Sequence, residues 1–311
     1  MTVIFSPFIG QIGRAESYIS LNEFKFSATA AAIDFTNLVA NGAQAAQDRA
    51  LSELIVRASA KIDAYCMGRL GTLNATSFTQ NGRYRLDRSA RFKIHPSYTP
   101  VIAVTSFMWG SNPGALSNLA LTSANVYTEE EEIIILPWNS NGTTVQYTGT
   151  DAYSWLISDD NSSEYYTVFS YINGWPNSFT TTSTTAGASG VTLGDVTGIY
   201  PGTNITVWDG LNDEYCQVAS NYVAGTSLVT FTNPLRFPHG IGVNVSAMHP
   251  SVKQACIHFT IAMVKARGQG GFIIDEQGAT QAVTMKSEMS VEDEIAGYNL
   301  LDEFRSLSGR T

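Results

Sequence analysis

Charge is scarce in this 311-residue chain, and basic charge scarcest of all. Asp, Glu, Lys and Arg together make up 14% of it. From Ile94 to Val252 a single basic residue, Arg236, faces twelve acidic ones. A stretch of one sign repels phosphates, which argues against a nucleic-acid grip there. Three cysteines (Cys66, Cys216, Cys256) stand far apart without C-x-x-C spacing. Neither a disulfide framework nor a zinc site is indicated, and a reducing, cytosolic assembly site is the simplest compartment. The four histidines, His95, His239, His249 and His258, have no His or Cys partner at metal-ligand spacing. No apolar run approaches the roughly 18 residues of a membrane helix. The opening MTVIFSPFIG has no early positive charge and does not read as a signal peptide. G-x-S-x-G, P-loop and strand–GxGxxG–helix patterns are missing. The expectation is a chain that is not an enzyme and takes no cofactor or metal.

What the chain does have is apolar residues, at 44%, together with 26 Gly, 14 Tyr, 15 Phe and 5 Trp. That composition builds a real core with a turn-rich β component. Residues 1–43 look irregular, with YISLNEFK (18–25) read as a strand leading into a helical turn. A helix is predicted over 44–69 from Leu51, Leu54, Ile55, Ala58, Ile62, Tyr65 and Cys66 at three- and four-residue steps. The period then falls to two. Strands are expected at 84–86, 92–94, 101–109, 133–136, 145–147 and 165–172, separated by turn clusters such as SNPG (111–114). The Thr/Ser/Gly-rich stretch 174–190 reads as a linker or exposed loop. A second strand series follows at 191–193, 205–208, 215–218, 228–231 and 243–247.

Helices return at Pro250, well placed as a first helical residue. One face carries Val252, Ala255, Cys256, Phe259, Met263 and Ala266. GQGG (268–271) reads as a hinge. A last helix is expected from Ser290, where Ser290 and Asp293 resemble a capping box. Its stripe is Ile295, Tyr298, Leu301, Phe304 and Leu307. The predicted fold is α+β: a small antiparallel helical core with large antiparallel β insertions, sandwich or small barrel. Its parts are an irregular segment 1–43, a helical core 44–77 with 249–311, a first β region 78–173 and a second β module 174–248.

Three clusters invite a functional reading. The acidic run Glu129–Glu132 would hold a hard cation only if its carboxylates converged, yet successive strand side chains point to opposite faces. It reads as a solvated turn, as does the pair Asp159 and Asp160 in SDDNSS. Arg83, Arg85, Arg88, Arg91 and Lys93 lie within eleven residues, opposed only by Asp87. This cluster either forms a solvated hairpin or meets an acidic partner, DNA or the β insert of a neighbouring copy, the latter being the expected one.

Order and spacing of the helices carry a resemblance. LSELIVRASAKIDAYC (51–66) resembles the first core helix of the head–tail adaptors of long-tailed bacteriophages. HPSVKQACIHFTIAMVKARG (249–268) is similar to their second core helix, NLLDEFRS (299–306) to the closing helix, and YISLNEFK (18–25) to the opening segment. The large β region departs from the minimal family pattern. The resemblance implies a virion neck protein, assembled in the host cytoplasm. About a dozen copies would form a ring under the portal and continue the DNA channel. Its implied partners are further copies of itself, the portal protein, a stopper or tail-terminator-side neck protein, and passing double-stranded DNA without sequence-specific contact; no membrane is implied. In that setting Leu301, Phe304 and Leu307 would dock on the portal, as terminal amphipathic helices often occupy grooves. A tail-fibre or receptor-binding protein is the alternative, and a hydrolase with an accessory β domain the remote one.

Overall fold

The structure, a computed structural model, describes residues 17–30, 38–39, 42–66, 72–87, 91–123, 125–129, 132–137, 164–266 and 280–305, with 280–290 as backbone. It is α+β, 28% helical and 33% strand, and every pairing of its strands is antiparallel. The expected strand at 145–147, the Asp159–Asp160 pair and the GQGG hinge lie outside the described residues. Two compact units emerge: Ala75–Gly174, and the described chain up to Asn74 together with that from Trp175 onward.

The unit 75–174 is a sandwich. One sheet has the order β1 (Thr76–Arg85), β7 (Glu164–Asn173), β3 (Val101–Gly110), β4 (Leu116–Asn118). The other has the order β2 (Phe92–Ile94), β6 (Glu132–Ile135), β5 (Val126–Glu129). Exposure alternates residue by residue along β1 and β7, the two-residue period of a half-buried strand. Their register runs without a break from Thr76↔Asn173 to Arg85↔Glu164. The inner faces meet in an aromatic layer. Phe92 lies 5.5 Å from both Phe107 and Trp109 and 6.0 Å from Tyr165. Such tilted and edge-on pairs add about 0.5–1.5 kcal/mol each beyond the area they bury.

In the other unit a helical layer and a second β module share one body. The helices are α1 (Leu21–Phe26), α2 (Gln44–Cys66), α3 (Pro250–Val264) and α4 (Thr280–Leu301), the last closing in a single 3-10 turn, Asp302–Phe304. The β module has a four-stranded sheet ordered β11 (Glu214–Gln217), β10 (Asn204–Trp208), β13 (Asn244–Ser246), β8 (Asn177–Phe179). A β12 (Leu228–Thr230)–β9 (Gly190–Thr192) pair completes it. The isolated bridges Thr180↔Leu193 and Val218↔Phe231 stitch the two sheets together around Val191, Ile205, Val207, Val229 and Val245. The residues read as a linker, 174–190, therefore include a strand, β8, whose Asn177 and Ser178 are buried.

α3 is the central helix. Ten of its fifteen residues are buried, including Lys253, Ile257, Ile261 and Val264, so it is covered on several sides rather than along the one stripe read from sequence. Ala266, assigned to that stripe, is exposed. α3 and α4 run antiparallel: His249 meets Phe304, Phe259 meets Tyr298, and Lys265 meets Asp293. α4 begins ten residues before Ser290, which makes Ser290 an interior residue and not a cap. Ile295 is 52% exposed; the packed face is instead Gly297, Tyr298 and Leu301. The true capping box is at α1. Glu23 N–H donates to Ser20 Oγ at 3.0 Å and Ser20 N–H to Glu23 Oε2 at 3.3 Å, and the described residues just before it, 17–20, form no strand.

Gly297 exists for contact. A Cβ there would stand 2.8 Å from the buried ring of Phe259. Gly297→Leu should therefore overpack the α3–α4 seam and cost about 1–3 kcal/mol, read as an earlier loss of helical circular dichroism in urea.

Candidate functional site

Two buried charge clusters form in the unit that carries the helices, and both use residues far apart in sequence. The first lies in the β module. β10 ends at Trp208 and Asp209 follows. Glu214 opens β11 with its side chain inward, as the alternating burial of that strand requires. His239 arrives on the loop after Leu235. That loop is pinned to Thr184 by two backbone bonds, at 2.8 and 3.1 Å. Its imidazole is fully buried. Nδ1 lies 2.9 Å from Asp209 Oδ2 and Nε2 lies 2.9 Å from Glu214 Oε1. Glu214 also accepts the backbone N–H groups of Arg236 (2.7 Å) and Phe237 (2.8 Å). Burial alone would raise the Glu214 pKa. The two amides and His239 outweigh burial and hold it below the ordinary value. A general base needs a ring nitrogen free to reach a substrate proton. His239 has both nitrogens engaged and no exposed surface, so this cluster clamps the 235–239 loop.

The second cluster joins α1, α3 and the β module. Lys253 Nζ donates to Asn244 Oδ1 at 2.7 Å, to the Tyr18 carbonyl at 3.1 Å, and to both oxygens of Glu23 at 3.0 and 3.2 Å. It also sits 4.6 Å from the centre of the Trp208 ring. Lys253 and Glu23 are 3% and 7% exposed. Burial pushes Lys253 down and Glu23 up from their ordinary values, each opposed by the other's charge. Beside this cluster, Tyr18 N–H donates to Ser59 Oγ on α2, and its hydroxyl meets Asp63.

No protein-family model, curated protein or solved structure matches this chain. The geometry therefore has to carry the functional reading. Among the described residues no group of three or more His, Cys, Asp or Glu side chains is arranged to hold a metal. Glu129 and Glu132 are apportioned to two strands, β5 and β6, and pair across them. All three cysteines are buried free thiols, and burial pushes Cys66 and Cys256 up to about 12.

Of the basic cluster, three members find carboxylates within their own unit. Arg85 donates to Glu164 at 3.1 and 3.2 Å, Arg91 pairs with Asp87 at 2.9 Å, and Lys93 lies 3.9 Å from Glu132. Arg83 is exposed, with no ion pair among the described residues; Arg88 lies outside them. The terminal stripe is packed rather than presented. Leu301 is fully buried, and the ring of Phe304 sits 5.6 Å from Trp175 and 5.1 Å from His249. Leu307 lies outside the described residues. Large exposed apolar side chains gather instead on the second β module: Leu211, Tyr215, Val223, Leu228, Phe237 and Ile241, each 41–73% exposed.

The Lys253 cluster can be tested by a double-mutant cycle. Lys253→Met should cost about 3–5 kcal/mol, because it strands the Glu23 carboxylate. Lys253→Met with Glu23→Leu should recover most of that in urea unfolding. The lowered pKa of Glu214 predicts an acid dependence. Its contribution is present above the unfolded value of 4.5 and fades as pH falls through the lower folded value. Glu214→Gln should flatten the stability profile between about pH 5 and pH 3, measured by thermal melts.

Proposed function

We propose that copies of this chain assemble head-to-tail into a ring in the neck of a long-tailed bacteriophage, joining portal to tail and continuing the DNA channel. The observation that carries this reading is the arrangement of the helices. α2, α3 and α4 pack as one layer in the order of the head–tail adaptor resemblance, although more than 180 residues separate Cys66 from Pro250. The β structure is spliced between α2 and α3 and leaves that layer whole.

The charge clusters suit a scaffold. Each spends its ionic groups on holding segments of one unit in place. A protein built for neighbours also needs apolar surface outside its own core, and the second β module supplies six large side chains of this kind. Identical subunits that use two different patches close into rings when the rotation between them divides a full turn. The expected partners are the portal, a further neck protein and DNA in transit. The stretch Ile94–Val252, with Arg236 as its single basic residue, would offer that DNA little phosphate grip. The same apolar module favours a second reading, a receptor-binding tail protein, in which those side chains meet a cell-surface target.

Light scattering and negative-stain imaging, with and without a portal ring, separate the readings. A ring with a central hole is the expected result. A thin trimeric rod would support the tail-fibre reading, and a monomer that stays monomeric on portal addition would overturn the connector.

A further inference from the structure

Within the sandwich unit two strand edges carry no neighbouring strand among the described residues, and they face one groove. β4 covers only Met108–Gly110 of β3, with Leu119 N–H donating to the Phe107 carbonyl just beyond. Over Val101–Thr105 no strand lies on that side of β3 among the described residues. β5 is the outer strand of its own sheet, paired with β6 alone among the described residues. Val101, Ala103 and Val104 from β3, with Leu121, Val126 and Tyr127 from the facing side, line a groove of about 350 Å³. None of its ten lining residues is charged. Open edges are normally blunted by lysine, proline or a covering segment. Here β3 has neither lysine nor proline, and register shifts set Ile102 and Thr105 off the ladder with β7, where Thr105 keeps only its hydroxyl bond to the Ser170 carbonyl.

Two open edges ask for backbone donors and acceptors, and a charge-free lining asks for uncharged side chains. Both demands are met by an extended apolar strand added between the edges. The chain contains such a segment. Residues 1–13, outside the described residues, include no charged side chain; the first is Arg14. Thr2-Val3-Ile4-Phe5 is a run of strand-favouring residues that, with Ser6, is as long as the open edge Val101–Thr105. Pro7 follows, which cannot donate to a ladder and so sets the end of the strand. The ten residues between Ser6 and Ser17 span roughly 35 Å when extended, enough to leave their own body.

We propose that Thr2–Ser6 of one copy adds as a strand to the β3/β5 groove of a neighbouring copy. The neighbour is the adjacent subunit of the ring, so the inference rests on the self-assembly reading above. A benzophenone amino acid in place of Thr128 in the full chain, with copies labelled by nitrogen-14 and nitrogen-15 mixed before irradiation, tests it. The expected product joins the benzophenone peptide of one copy to the peptide ending at Arg14 of the other isotope. Ile4→Asp should cut that product and the self-association constant at least tenfold while leaving the thermal melt unchanged. Cross-links elsewhere, cross-links confined to one isotope, or none at all overturn the proposal. Rings seen without this cross-link would sink the strand addition and leave the connector standing. The cross-link between copies without rings would do the reverse.

Discussion

Lys253 holds the helix-bearing unit together, because a buried ammonium tolerates no loose partner. An ion leaving water loses several kcal/mol of solvation, which returns only when each of its donors is met. Around Lys253 those acceptors come from α1, from the chain just before it and from β13, while the charge lies against Trp208 on β10. Four separate pieces of sequence must therefore reach position together. In a chain with so little basic charge, one lysine lies in the interior, and its partners tie α1, α3, β10 and β13 into one arrangement.

The same economy of charge shapes the β module. Arg236, alone in its long acidic stretch, holds Glu214 through its backbone N–H. The negative charge of that carboxylate is met by two amides and by His239, so Glu214 is held without an ammonium partner among the described residues. The surface that results is acidic in charge and apolar in its larger side chains, a mixture that discourages polyanions and leaves room for protein contacts.

Regular periodicity made much of the fold legible in the sequence. α2, the proline entry to α3, β2, β3 and β7 follow from spacing and composition alone. What escaped was polar or was set by distant partners. β1 carries few apolar residues, Phe78 and Tyr84 among them, and is a strand because β7 lies along its whole length. β8 hides in a Thr/Ser-rich stretch because Asn177 and Ser178 are buried through hydrogen bonds to Asn74, Asn244 and the backbone. On α4 the expected stripe departs from the structure at Ile295, which is exposed while Asp293 and Gly297 turn toward α3; Tyr298, Leu301 and Phe304 pack inward as read. Neither charge cluster has a local signature, since Glu23 and Lys253 are 230 residues apart and Asp209 and His239 are 30 apart.

The polypeptide leaves for the sandwich and comes back at a single point. Asn74 and Trp175 lie side by side in a parallel bridge, and Trp175 N–H donates to the Leu73 carbonyl at 2.8 Å. The body that keeps both ends thus ties the doorway shut by itself. Closing so long an excursion costs little more than closing a short one, since the entropy grows only with the logarithm of length. The sandwich is accordingly a cassette: its size and surface can change freely while the two gateposts, Asn74 and Trp175, stay in place.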